Sequence, residues 1–141
     1  MLPARTYSIT INRNWQALYE AIWRPETFSQ WASGLIEADL RQSDEGWIAD
    51  GVDGPIIVHF TPYNAFGVMD HVVETGNGQA VHVPLRVVQN GVGAEVMLTL
   101  FRKPEMTDET FARDAKWIAR DLRALRDLVN SERLFFNEQP Q

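Results

Sequence analysis

Cysteine is absent from the 141 residues, which excludes a disulfide framework, a thiolate nucleophile and any zinc site built on thiolates. Long apolar runs are missing too. No stretch approaches the ~20 apolar residues that span a bilayer, and the first fifteen residues hold no apolar core of signal-peptide length, so the expected location is the cytoplasm. Positive charge is scarce: 13 Lys and Arg against 19 Asp and Glu leave a net charge of −6 with His neutral. A phosphate backbone or an anionic membrane would meet net repulsion, and nucleic acid is not an expected partner. The three histidines have no i, i+4 spacing and no Gly-rich phosphate loop follows a strand, so neither a metal nor another cofactor is expected. What remains is a chain with 45% apolar residues and no internal repeats, enough for one domain with a core.

The patterning divides the chain into three parts. Arg5 to Ile11 alternates, with Tyr7, Ile9 and Ile11 on one side, as a half-buried strand does. Trp15, Leu18, Tyr19 and Ile22 then have the spacing of a short helix capped by Asn12 or Asn14, and Pro25 opens a second that carries Phe28 and Trp31. From Gly34 to Lys103 the period is two, broken by turn signals such as Asp53-Gly54, Asn77-Gly78 and Asn90-Gly91, which predicts six strands over 35–42, 47–51, 55–62, 67–74, 79–89 and 94–103. Short connections make an antiparallel meander the simplest pairing. Beyond Pro104, Phe111, Ala115, Ile118, Leu122, Leu125 and Val129 mark one long amphipathic helix over 107–132. A single domain over 5–132 and a tail over 133–141 follow.

The expected fold is therefore α+β: a seven-stranded curved antiparallel sheet wrapped around the C-terminal helix, with two short helices after strand one. The chain resembles the START-related superfamily, also called SRPBCC, of polyketide cyclases/dehydrases, pollen-allergen-type lipid binders and chaperone-activator domains. Its fold is the helix grip. The resemblance spans about 5–132 and rests on Ile9-x-Ile11, Leu18-Tyr19, Ile22, Pro25, Phe28, Trp31 and the late Gly93-x-Glu95-Val96-x-Leu98-Thr99-Leu100. Asn64-x-Phe66-Gly67-Val68-x-Asp70-His71 and Val83-Pro84-Leu85-Arg86-Val87-Val88 are similar to uncharacterised bacterial members. The resemblance implies an apolar cavity between sheet and helix.

Which polar groups enter that cavity depends on strand parity. Val81, Val83, Leu85 and Val87 share a face with Val96, Leu98 and Leu100, and carrying that face across Thr75–Gly78 places Val68, Asp70 and Val72 inside, with Glu74 next in the same row, and His71 and His82 outside. Asp70 would then be a desolvated carboxylate suited to general acid or base work. His59 joins it if the connection at Tyr63–Phe66 is counted as even. An odd count puts Ile56, Val58 and Phe60 inside instead. Pro84 lacks the N–H that an interior strand needs, and a bulge there would turn Arg86 or His82 inward, where Arg86 would hold an oxyanion. The expected catalytic set is Asp70, His59 and Arg86. The expected cavity wall is Trp31, Trp47, Phe60, Val72, Val83, Leu85, Leu98, Trp117 and Ile118.

Three functions fit this reading. The first is a protein that holds a small apolar or aromatic molecule. The second is a cofactor-independent cyclase or dehydratase moving protons beside a carbonyl. The third is an interaction module that uses Met97, Phe101 or the tail Leu134-Phe135-Phe136, residues that suit a homodimer contact equally well.

Overall fold

A computed structural model describes residues 1–32, 40–51, 54–76 and 78–131. The alternating opening forms β1 (Ala4–Ile11). Asn14, not Asn12, caps α1 (Trp15–Ile22): its Oδ1 accepts hydrogen bonds of 3.0 Å from the backbone N–H groups of Gln16 and Ala17, two donors that the first turn leaves orphaned. Pro25 opens a 3₁₀ helix (Pro25–Gln30). The strands that follow are β2 (Arg41–Ser43), β3 (Gly46–Gly51), β4 (Gly54–Phe60), β5 (His71–Thr75), β6 (Ala80–Val83), β7 (Leu85–Asn90) and β8 (Gly93–Phe101). The Oγ1 of Thr107 accepts from the Thr110 N–H at 3.0 Å and starts α2 (Asp108–Asn130), the long helix predicted over 107–132. Among the described residues no helix is long and apolar enough to cross a membrane. The predicted strand over 35–42 lies mostly outside the described residues, as do Asp53, Asn77 and the tail with Leu134, Phe135 and Phe136.

The expected single sheet of seven strands is corrected: the described strands number eight, in two antiparallel sheets ordered β1-β8-β7 and β2-β3-β4-β5-β6. Pro84 is the reason. The run predicted as one strand over 79–89 parts at this residue, with β6 pairing to β5 and β7 pairing to β8. No parity flip accompanies the break, since Val83 and Leu85 on either side are both buried. Backbone bonds close the joint: Thr99 N–H donates to Pro84 O at 3.0 Å, Met69 N–H to Leu85 O at 2.8 Å and Val87 N–H to Gly67 O at 2.9 Å. Gly67 has φ +71, and a Cβ there would stand 2.2 Å from the Val87 carbonyl oxygen, so this close crossing requires glycine.

β8 pairs on one side with β1 and on the other with β7, and α2 lies along β1 and β8, where Ile9 pairs with Val96 and Ile11 with Ala94 to form the floor beneath the helix. The helix closes that floor with Leu122, Leu125, Leu128 and Val129, all buried. Apolar burial at ~25 cal/mol per Å² makes this seam the main stabilising contact of the helix. Leu125 is fully buried and is not part of the cavity described below, whereas Leu122 lines it. Leu125→Ala should therefore cost about 3–5 kcal/mol and Leu122→Ala about 2–3 kcal/mol, because the second truncation enlarges a space that already exists. Urea denaturation with an unchanged m-value checks both.

Candidate functional site

Between α2 and the two sheets lies a cavity of about 420 Å³, within the range of small-molecule sites. Phe28 and Trp31 from the 3₁₀ segment form one end. Ile56, Val73, Val81, Val83, Leu98 and Leu100 form the sheet side, and Trp117, Ile118, Asp121 and Leu122 form the helix side. Exposed Gly76, Gln79, Glu105 and Arg113 also border it, which places its open end between the β5–β6 turn and the start of α2. There Lys103 Nζ donates to Ala80 O and ties the chain after β8 to the start of β6. The Arg113 guanidinium stacks 4.5 Å from the Trp117 ring.

The sheet side also carries His71, which is 4% exposed. Its ring packs 5.3 Å from Phe28, edge on, and 5.4 Å from Phe60. Nδ1 lies 3.1 Å from Met69 O, and because a carbonyl only accepts, Nδ1 carries the hydrogen and Nε2 the lone pair. Burial pushes the imidazole pKa below 6.5, against the opposing pull of the Met69 carbonyl and the Asp70 charge, so the ring is neutral at physiological pH. Nε2 has no hydrogen-bond partner among the described residues and is not sealed off from the cavity. The indole N–H of Trp31 is sealed off and likewise unmet among the described residues.

Asp70, one residue earlier, points the other way. Its Oδ1 accepts the Leu85 N–H at 2.9 Å and its Oδ2 binds Arg86 Nη2 at 2.9 Å. Partial burial works to raise the Asp70 pKa, but the Arg86 hydrogen bond, the Leu85 N–H and the nearby positive charge together hold it below 3.8. The carboxylate thus takes up the first backbone donor after Pro84.

No family model and no curated protein matches the chain. Solved structures do. The Bacillus cereus protein XoxI aligns with TM-score 0.70 at 14% identity, over 89% of this chain and 94% of its own. Ara h 8.0201 aligns with TM-score 0.65 at 14% identity, over 93% and 99%. A START superfamily protein from Mycobacterium smegmatis aligns with TM-score 0.63 at 9% identity, over 91% and 97%. The chain has the START-type helix-grip fold.

Within the helix grip, the expected inward trio of Asp70, His59 and Arg86 is not assembled. β5 and β6 pair His71 with Val83 and Val73 with Val81, so the inner face of β5 carries His71 and Val73, not Asp70 and Val72. The expectation fails because Glu74 pairs with Ala80 across a loop that shifts the register by one. His59 stands across from Val72 on the outer face, 3.2 Å from Glu74, while Ile56 and Val58 turn inward as the odd count requires. Arg86 is exposed in its pair with Asp70. Of the expected wall, Trp31, Val83, Leu98, Trp117 and Ile118 line the cavity. Leu85 is buried in the core, Phe60 backs the His71 ring, Trp47 packs against the core opposite Val58, and Val72 lies outside. Sequence reasoning missed Phe28, His71, Val73 and Asp121. The last lies one residue off the apolar stripe of α2, beside Leu122, yet it is only 7% exposed.

Two outcomes follow from these placements. Asp70→Asn, which retains an acceptor for Leu85, should change stability by no more than about 1 kcal/mol, whereas Asp70→Ala should cost about 1–3 kcal/mol by orphaning a buried N–H. For His71, the unfolded chain takes a proton below pH 6.5 more readily than the fold does. This contribution to stability is fully present above pH 6.5 and is lost as the pH falls toward the lower pKa in the fold. In His71→Phe, denaturation midpoints should lose that acid-side slope.

Proposed function

We propose that this is a cytoplasmic small-molecule-binding protein that holds an apolar or aromatic ligand in the cavity between its sheets and α2, within a single domain over 5–132. The observation that carries this reading is a largely apolar cavity of about 420 Å³ with an open end. A folded protein keeps such a space against the packing energy that closing it would gain. The aromatic walls from Phe28, Trp31 and Trp117 favour flat ring systems through offset and edge contacts. Binding needs nothing beyond the pocket, whereas the acid–base reading built on Asp70, His59 and Arg86 needs groups that face one another.

Native mass spectrometry of freshly purified protein should show a co-purifying small molecule that denaturation releases. 1-Methylnaphthalene should raise the melting temperature in a concentration-dependent way. Val73→Trp, which fills the cavity from β5, should abolish that rise. A melting temperature indifferent to 1-methylnaphthalene, together with no released mass, would overturn the reading.

A further inference from the structure

Resting on the cavity-binding reading above, we propose that His71 makes the cavity selective for a neutral ligand bearing a hydroxyl on an aromatic ring, with the hydroxyl hydrogen donated to His71 Nε2. The apolar wall alone would accept any flat hydrocarbon; the buried imidazole adds a directional demand among the aromatic rings. Its Nδ1–H is committed to Met69 O at 3.1 Å, which leaves Nε2 as a lone-pair acceptor toward the cavity. Phe28 and Phe60 pack the ring at 5.3 and 5.4 Å and hold its orientation. An acceptor so placed, in surroundings poor in water, favours a group that gives up a hydrogen bond and penalises one that cannot.

Two further features narrow the class. Trp31 packs 5.1 Å from the same Phe28 ring, so aromatic surface lies beside the acceptor at this end of the cavity. Asp121, buried in the helix side at 7% exposure, is itself a carboxylate that stands 3.7 Å from Arg120, so it offers a ligand carboxylate no partner. A hydroxyl gives a hydrogen bond without charge. Phenols, naphthols and hydroxylated polycyclic rings meet all of these demands.

The test compares 1-naphthol with 1-methylnaphthalene, which have the same ring system and nearly the same size. Calorimetric affinities for both are measured on the wild-type protein and on His71→Phe, which keeps the ring packing and removes Nε2. The ratio of naphthol to methylnaphthalene affinity should fall roughly tenfold in the variant, the difference cancelling the unequal hydration of the two ligands. In wild-type protein carrying ¹⁵N-histidine, 1-naphthol should move the Nε2 resonance of His71 while 1-methylnaphthalene leaves it in place, a measurement that needs no variant to fold. If both ligands bind but the ratio and the Nε2 resonance are unchanged, the hydroxyl assignment is wrong and the cavity reading stands. If neither ligand binds the wild-type protein, both fail.

Discussion

The carboxylate of Asp70 meeting the N–H of Leu85 is the contact on which the arrangement around the cavity depends. Pro84 cannot donate a ladder hydrogen bond, so the chain has to change partners there, and the first donor beyond it would otherwise be left unmet beside a fully buried leucine. Asp70 meets that donor and carries Arg86 with it. By turning outward to do so, it turns the following residue inward. The imidazole of His71 enters the cavity on the side opposite this backbone repair, in the register that pairs it with Val83.

The two sheets and the helix follow from the same joint. β6 and β7 are one run of sequence serving two sheets, and their buried residues, Val83, Leu85 and Val87, remain on a common inner surface across the break. α1 packs on the β7 part of that surface, α2 lies along β1 and β8 and faces Val83 across the cavity, and the short 3₁₀ segment before β2 supplies Phe28 and Trp31 at one end. The space left over is bounded by β4, β5, β6 and β8, by α2 and by the 3₁₀ segment.

Much of this was legible in the sequence. The alternation in β1, the Asn and Thr caps, Pro25, and the apolar stripe on the final helix each report a local rule that tertiary context did not override. The β7–β8 hairpin was legible as well, because Asn90 and Gly93 pair across Gly91 with φ +59, the left-handed conformation that its turn residues announce. The faces of His71 and Asp70 were not legible. They depend on the count of residues between two strands, and around Gly76 and Gly78 neither hydrophobicity nor turn propensity fixes that count. Pro84 was recognisable as a break but not as a change of sheet, since a missing donor does not say which strand the chain pairs with next. Asp121 gave no signal because an acidic residue on a helix is read as solvated, and its burial comes from elements that close over it in space.

The connection between β5 and β6 has an evolutionary corollary. Glu74 faces Ala80, and Thr75 N–H reaches Gln79 O at 2.9 Å within the turn. Losing or gaining one residue in this turn would exchange the two faces of β5, placing carboxylates and Val72 where His71 and Val73 now stand. Changes of two residues would preserve the faces. The turn should therefore drift in length by even steps among descendants that keep the cavity, and an odd step would mark a lineage in which the interior chemistry had been exchanged outright.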